Sequence, residues 1–362
     1  MLKNFEVTNY KNFKDTITLD FSNVRDYKFN TDCIRNNMVN TGIIYGKNAR
    51  GKTNLGYAIL HIRDMLTDSK LENKQILQNC NSNSEYTTFK YSFQFDNDEV
   101  MYQYKINSKN IIVDELLAIN NDEIFQYTPS HKKKIKGDLS KINADTLNWD
   151  FTDNMCALKY IINNTPLTDD SILKKLMMFV KGMSLVRPEL YNRNSSALNQ
   201  ALDYIISNDL VKDFDDFLNE NGVECELICQ KMPTGEKVIY FDYNRPILFI
   251  NSASSGTIAL TIFYYWYRLN IDIHQFVFLD EFDAFYHHEL SEKIIKLMNK
   301  MKNCQAIFTT HNTSLLTNTI MRPDCLFIIT PTRITNLPDA TDRELREGHN
   351  LEKLYRNGEF NE

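Results

Sequence analysis

The sequence predicts an α/β protein with a mostly parallel, covered sheet, an antiparallel sheet beside it and an inserted, mainly helical lobe. Three observations predict this fold. A glycine-rich loop early in the chain lies between an apolar strand and a helical pattern. Short strands with alternating apolar residues follow it. After residue 245, buried apolar strands alternate with helices, as is typical of a parallel sheet covered on both faces.

The first part of the chain, residues 1–127, contains mainly predicted strands. Residues 5–21 alternate apolar and polar side chains around a turn, which predicts a β-hairpin leading towards the glycine-rich loop. Three further segments with strand patterns predict an antiparallel sheet: residues 88–95, 101–106 and 111–119.

Residues 128–245 form the predicted lobe. Helical periodicity occurs near 169–182 and 199–219, and a Pro-Thr-Gly turn predicts a hairpin at 225–243. No heptad repeat persists for several turns, so we do not expect a long coiled-coil arm. We expect residues 246–362 to form one domain with residues 1–127.

The glycine-rich loop fits the pattern of a phosphate-binding loop. Four of the chain's 11 glycines lie between residues 42 and 56, and residues 46–53 read G-x-x-x-x-G-K-T. In such a loop, backbone N–H groups and a helix N-terminus surround phosphates, the lysine reaches the β/γ oxygens and the hydroxyl binds Mg²⁺. A glycine-rich turn before an ordinary helix is the alternative, but the strand–loop–helix order favours phosphate binding. The predicted nucleotide-binding residues are Gly46, Asn48, Gly51, Lys52, Thr53 and Asn54.

An acidic pair follows a predicted buried strand further along the chain. Four apolar residues, 276–279, end at Asp280 and Glu281. The end of a buried strand is where an α/β sheet binds its ligand. We therefore expect Asp280 to hold Mg²⁺ opposite Thr53, and Glu281 to polarise the water that attacks the γ-phosphate. Acidic pairs after strands are common, so this pair alone is weak evidence for a metal site. Its occurrence together with the phosphate loop strengthens the assignment.

Two more segments complete the predicted site. The apolar strand at 305–308 ends in Thr309, Thr310 and His311, and a histidine at that end of the strand is expected to donate to the γ-phosphate. A lone surface histidine is the alternative. Ser254, Ser255 and Gly256 open a predicted helix, and their hydroxyl and N–H groups predict a second anion site. Taken alone, that segment is an ordinary helix cap.

Composition excludes several classes of protein. The 43% hydrophobic and 24% charged fractions are those of a soluble globular protein. No apolar run is long enough to span a membrane, and the first ten residues lack the apolar core of a signal peptide, so we expect a cytoplasmic protein with no membrane partner. The net charge of −6 does not indicate nucleic acid, although a local basic patch leaves it possible. The cationic run at 131–137, HKKKIKG, is expected to be a solvated loop.

The order of these motifs resembles the head of ABC-type ATPases. Four motifs carry the resemblance: Lys52 and Thr53 match Walker A, residues 253–257 (ASSGT) look like the signature LSGGQ, Asp280 and Glu281 match Walker B, and His311 matches the switch histidine. The family implies ATP and Mg²⁺ as ligands and ATP hydrolysis as the activity. It also implies a homodimer in which Ser254, Ser255 and Gly256 of one head complete the ATP site of the other.

Finer features are similar to particular branches of that family. Residues 5–15 look like the first hairpin of the SMC, recombination-mediator and OLD-like branches, and residues 280–290 look like the OLD-like branch. His287 departs from SMC proteins, which have a D-loop aspartate at that place. The Q-loop glutamine has two candidates, Gln75 and Gln78. Residues 350–360 resemble stand-alone OLD-like ATPases of bacterial anti-phage and abortive-infection systems.

The resemblance implies an ATP-driven sensor or scaffold in anti-phage defence that controls a separate effector, expected to be encoded nearby. We expect no nuclease activity. OLD-like proteins that cut nucleic acid carry a TOPRIM domain of about 100 residues after the ATPase, and only about 50 residues follow His311. The lobe acids Asp213, Asp215 and Asp216 fit a solvated helix face. The lobe or the cationic run at 131–137 is the expected docking surface for that effector. One alternative is a DNA-repair ATPase of the recombination-mediator type. Another is a scaffold that binds ATP and scarcely hydrolyses it, against which Glu281 argues.

Overall fold

The computed structural model describes residues 1–67, 77–131, 134–149, 155–187, 196–270, 275–301 and 303–360, with only the backbone for 269 and 270. Two large sheets dominate it. Both are built mainly from the residues before and after the predicted lobe, as their elements show.

The first sheet has seven strands and is antiparallel, in the order β10-β9-β8-β7-β6-β1-β2. Its inward positions carry apolar and aromatic side chains at every second residue, which is the pattern that a half-buried strand requires. Its strands are β1 (Leu2–Thr8), β2 (Ile17–Asp20), β6 (Tyr86–Phe95), β7 (Asp98–Asn107), β8 (Ile112–Ile119), β9 (Asp122–Tyr127) and β10 (Ile135–Gly137).

The second sheet has six strands in the order β11-β15-β16-β5-β17-β18, and all its pairs are parallel except the last. Most of its strands are fully buried, as expected of a sheet covered on both faces. They are β5 (Thr41–Tyr45), β11 (Met183–Val186), β15 (Phe276–Leu279), β16 (Gln305–Thr310), β17 (Leu326–Ile329) and β18 (Ile334–Asn336).

Smaller elements complete the described part of the chain. Two small sheets contain β3 (Ile34–Arg35) with β4 (Met38–Val39), and β12 (Leu227–Lys231), β13 (Lys237–Phe241) and β14 (Ile247–Leu248). The helices are α1 (Lys52–Leu66), α2 (Ala157–Asn164), α3 (Ile172–Lys181), α4 (Ser196–Ser207), α5 (Val211–Glu220), α6 (Phe249–Ser252), α7 (Ser255–Asn270), α8 (His288–Asn299) and α9 (Leu351–Arg356). Single 3-10 turns occur at Thr31–Cys33, Leu139–Ile142, Thr313–Leu315, Pro323–Cys325 and Leu337–Asp339.

Helix α1 lies between the two large sheets and joins them. On one side, Tyr91 of the antiparallel sheet donates its hydroxyl to the Ala58 carbonyl at 2.9 Å, and the His61 ring stacks on Phe89 at 4.4 Å. On the other side, a Cβ at Gly56 would lie 2.7 Å from the Phe278 ring. Because both sheets pack on this helix, its N-terminus is held firmly at the edge of the parallel sheet.

The predicted lobe, residues 128–245, differs from expectation at three points. Residues 183–186, inside the predicted lobe, pair with β15 and extend the parallel sheet of the head. The domain boundaries at 128 and 245 stay a prediction. The end of the cationic run forms the edge strand β10, because residues 135–137 pair with β9. The acids of α5 are not simply a solvated face, since Asp215 is 6% exposed and Asp213 accepts a hydrogen bond from the Tyr264 hydroxyl.

Within the described ranges, no helix has the length and apolar character needed to cross a membrane.

Candidate active site

The phosphate loop follows β5 in the interior of the parallel sheet. At Gly46 the loop passes so close to β17 that a Cβ would lie 2.4 Å from Cγ2 of Ile329. Gly51 has φ 98°, in the left-handed region, and a Cβ there would lie 2.3 Å from Nδ2 of Asn12. These two positions therefore require glycine, and the loop between them directs its backbone towards the start of α1.

Lys52 lies inside this loop. Its ammonium donates to the Gly46 carbonyl at 2.8 Å and to the Lys47 carbonyl at 3.4 Å, and the residue is 5% exposed. Burial lowers the pKa of Lys52, while the nearby carboxylates of Glu281 and Asp280 act in the opposite direction. The cation therefore lies where a phosphate surrounded by the loop would meet it.

Thr53 and Asp280 lie side by side, although 227 residues separate them in the chain. The Thr53 hydroxyl donates to Oδ2 of Asp280 at 2.6 Å, and the Thr309 hydroxyl donates to Oδ1 at 2.7 Å. Asp280 is 3% exposed. A hydroxyl and a carboxylate oxygen in this arrangement are the ligands that Mg²⁺ takes beside a nucleotide, so the residues present fit the metal.

Glu281 has an unusual backbone conformation. Its φ of 43° lies in the left-handed region, which costs an L-residue other than glycine about 1–2 kcal/mol. Its N–H donates to the Thr309 hydroxyl at 2.9 Å, and the Phe282 N–H donates to the Thr309 carbonyl at 3.3 Å. The turn after β15 is thus held against the end of β16, with Glu281 half-buried.

His311 lies at the same edge of the sheet as the phosphate loop. Thr310 is paired in register with Tyr45, so His311 and Gly46 each follow a paired residue on adjacent parallel strands. The histidine is exposed, and the next residue, Asn312, donates its N–H to the Thr310 hydroxyl at 2.9 Å. The structure therefore brings four predicted elements together: the loop, Asp280, Glu281 and His311.

The segment predicted as a signature has a different environment. The Ser254 hydroxyl accepts a hydrogen bond from the Thr257 N–H at 3.1 Å, which is an ordinary helix cap for α7. Both Ser254 and Ser255 are exposed, and a Cβ on Gly256 would lie 3.2 Å from the Phe285 carbonyl oxygen. Their exposed position leaves them accessible to another molecule.

The sequence did not predict three residues that lie near the site. Asn12, in the turn of the first hairpin, donates to the Arg50 carbonyl at 3.3 Å and accepts from the Asn54 amide at 2.6 Å. Lys11 and Arg187 lie over the Tyr57 ring, 4.8 and 4.9 Å from its centroid. For Lys11 and Asn12, the predicted β-hairpin was the only signal in the sequence, and nothing in the residue spacing connected that hairpin to the phosphate loop.

The remaining predicted nucleotide-binding residues, Asn48 and Asn54, and the two Q-loop candidates differ in their surroundings. Asn48 is exposed at the loop tip, whereas the side chain of Asn54 holds Asn12. Gln75 lies outside the described residues. Both polar side-chain atoms of Gln78 are buried and have no hydrogen-bond partner within the described part of the chain.

Burial and charge also act on the two cations over Tyr57. Burial lowers the pKa of Lys11, and the Arg187 cation lowers it further. Burial lowers the pKa of Arg187 as well, while the Asp280 carboxylate raises it. Two cations held this close to each other and to the start of α1 favour an anionic ligand there.

Comparisons with known proteins bear on the fold of this chain. Residues 183–317 match a family described as "AAA domain, putative AbiEii toxin, Type IV TA system", whereas no curated protein sequence matches the chain. An SMC head bound to the C-winged helix domain of ScpA is similar at 15% identity and a TM-score of 0.50, over 93% of this chain and 97% of that chain. The SMC head of Thermotoga maritima is similar at 16% identity and a TM-score of 0.47, over 92% of this chain and 98% of that chain. The recombination mediator RecF bound to ATP is similar at 13% identity and a TM-score of 0.44, over 93% of this chain and 99% of that chain.

The fold is that of an ABC-type ATPase head. The antiparallel sheet beside a parallel sheet, with the phosphate loop at the parallel strand ends, confirms the predicted fold class. The closer resemblance to the OLD-like branch stays a prediction.

Proposed function

We propose that this chain binds ATP with Mg²⁺ and hydrolyses it. The observation that carries the proposal is the hydrogen bond of 2.6 Å between Thr53 and Asp280, which joins the phosphate loop to the acidic pair. A metal-holding hydroxyl and carboxylate beside a buried lysine fit a nucleoside triphosphate, and the half-buried Glu281 next to them fits hydrolysis.

Each residue has a proposed role. Lys52 binds the β/γ phosphates, and Thr53 and Asp280 hold Mg²⁺, which neutralises charge on those phosphates when it is bound. Glu281 accepts a hydrogen bond from the attacking water and polarises it. His311 donates to the γ-phosphate at the point where negative charge grows in the transition state.

The two cations over Tyr57 extend this site. Because Lys11 and Arg187 lie beside the first turns of α1 and repel each other, an anion between them relieves their repulsion. We assign them to the phosphate side of the bound nucleotide. Asn12 supports the loop from the same hairpin through Arg50 and Asn54.

We further propose that two heads assemble around ATP. The exposed Ser254 and Ser255 at the start of α7 are available to another subunit, and Gly256 lets a phosphate approach the helix N-terminus. An ATP molecule contacted by both subunits stabilises the dimer by mass action, and hydrolysis then releases it.

The biological role that we propose is control of a separate effector in anti-phage defence. The match of residues 183–317 to a family described as a putative AbiEii toxin of a type IV toxin–antitoxin system supports a two-component arrangement. ATP binding controls whether the heads dimerise, and the effector responds to the dimer.

Phosphate release by purified protein tests the proposed hydrolysis. We expect ATP turnover that disappears with excess EDTA, because Thr53 and Asp280 act through Mg²⁺. Turnover unchanged by duplex DNA fits the proposed role, and strong stimulation by DNA favours the recombination-mediator alternative. Tight ATP binding with no turnover contradicts the hydrolysis and favours a scaffold.

A further inference from the structure

The turn that carries Glu281 is fixed twice to the end of β16. The first attachment is the pair of hydrogen bonds from Glu281 and Phe282 to Thr309. The second lies one residue further along both segments, where the Thr310 hydroxyl donates to Oδ2 of Asp283 at 2.8 Å. Because Glu281 has the strained φ of 43°, such attachments are needed to hold it.

The Thr310 hydroxyl also controls the segment that follows it. It accepts the Asn312 N–H at 2.9 Å, which fixes the backbone on the far side of His311. One hydroxyl group therefore contacts the Glu281 turn through Asp283 and the His311 segment through Asn312.

Two polar atoms beside this hydroxyl are buried without a partner. Thr310 is fully buried, and the second carboxylate oxygen of Asp283, Oδ1, is buried with no hydrogen-bond partner among the described residues. The same is true of the hydroxyl of Tyr45, the residue paired with Thr310 in the sheet. The Asp283 side chain as a whole is only half-buried, and the Thr310 hydroxyl is its hydrogen-bond donor among the described residues.

We propose that Asp283 and Thr310 form a clamp that sets the position of Glu281 relative to His311. The inference rests on the proposed hydrolysis. Both clamp residues are positioning residues, because Thr310 bonds to Asp283 and to Asn312 and reaches the reacting atoms only through Glu281 and His311. A clamp of this kind acts on the transition state, where water and γ-phosphate must be aligned, and leaves ground-state ATP binding unchanged.

Thr310→Val is the matched substitution, because it keeps the shape of the side chain and removes the hydroxyl. We expect kcat to fall roughly 10- to 100-fold while ATP affinity stays within about twofold of wild type. Thr310→Ser keeps both hydrogen bonds and should restore most of kcat. Thr87→Val is the control, because Thr87 is equally buried and donates to the Asn9 carbonyl at 2.8 Å, in the other sheet.

Hydrogen exchange without nucleotide gives a second readout. In Thr310→Val, the amides of residues 281–284 should exchange faster than in wild type, while those of α1 stay unchanged. Equal kcat and equal exchange in wild type and Thr310→Val overturn the clamp. A fall in ATP affinity or thermal stability that accounts for the whole loss also overturns it, because the role is then structural.

Different results would contradict the proposed hydrolysis and the proposed clamp. A wild-type protein that binds ATP without turnover contradicts the hydrolysis itself, whatever Thr310→Val does. Normal wild-type turnover that Thr310→Val leaves unchanged contradicts the clamp alone.

Discussion

Lys52 is the buried cation of the phosphate loop, and its side chain supplies the most direct test of nucleotide binding. Its ammonium donates to the carbonyls of Gly46 and Lys47, and the residue is 5% exposed. We expect Lys52→Ala to weaken ATP binding about 100-fold, the loss typical of truncating one partner of a buried charged contact. Calorimetry measures it, and Lys109→Ala, on an exposed turn, is the matched control. Equal ATP affinity in wild type and Lys52→Ala excludes the assignment.

A second residue-scale prediction concerns Glu115, a fully buried glutamate on β8. It accepts the Ala157 N–H at 2.6 Å and the Tyr102 hydroxyl at 3.0 Å, and burial raises its pKa from 4.5 to about 7. The folded state therefore binds more protons between those values. The contribution to the free energy of unfolding is full below pH 4.5 and is lost as the pH rises through 7.

Denaturant unfolding checks this sign. From pH 5.5 to pH 8, the free energy of unfolding of wild type should fall by about 2 kcal/mol more than that of Glu115→Gln, which cannot titrate. The neutral amide keeps one acceptor for the α2 N-terminus, so the variant should still fold. A parallel pH dependence in the two proteins contradicts the prediction.

Residue types in the loop and the acidic pair were predictable because a short, local pattern specifies them. Glu281 with its positive φ was not, since nothing in the residues around it signals a left-handed glutamate. Asn12 and Arg187 were missed for another reason. Their neighbours at the site are far away in the chain, and such contacts depend on the packing of whole elements.

At the scale of elements, the strands of the parallel sheet were predictable from continuous apolar runs ending in polar residues. The four-residue strand β11 was not, because it lies among helices and contains a serine. Its pairing with β15 places Arg187 beside Asp280, whose N–H donates to the Val186 carbonyl at 2.8 Å. The missed strand and the missed cation therefore have one cause.

The start of α7 gives the element-scale prediction. We expect ATP to promote dimers in a Glu281→Gln background and Ser255→Arg to prevent them, because the larger cation blocks the approach of another subunit's phosphates. Sedimentation at matched concentration measures this. Ser207→Arg, at the exposed end of α4, is the control. If Ser255→Arg assembles as well as its parent, residues 254–256 are only a helix cap.

At the scale of the whole molecule, the lobe is connected to the helix that begins at Ser255. Phe214 and Phe217 of α5 pack on the Tyr264 ring of α7 with ring centroids 5.0 Å apart in each pair, and Tyr204 of α4 contacts Tyr265 at 5.3 Å. The lobe therefore packs directly on α7, the helix whose first turn carries the proposed dimer contact. The lobe is our proposed docking surface for the effector.

The whole chain is expected to act through that effector and to cut no nucleic acid itself. Purified protein with Mg²⁺ or Mn²⁺ should leave DNA and RNA intact. Nuclease activity that survives purification and disappears with a substitution in this chain overturns this expectation.

The proposed hydrolysis depends on Glu281, and comparing ATP binding with ATP turnover in Glu281→Gln tests that role most directly. Because the carboxylate acts on water in the transition state, the variant should keep wild-type ATP affinity and lose roughly 10²- to 10⁴-fold in turnover. Glu289→Gln, on the exposed first turn of α8, should keep both. Wild-type turnover in Glu281→Gln contradicts the proposed role of Glu281 in hydrolysis.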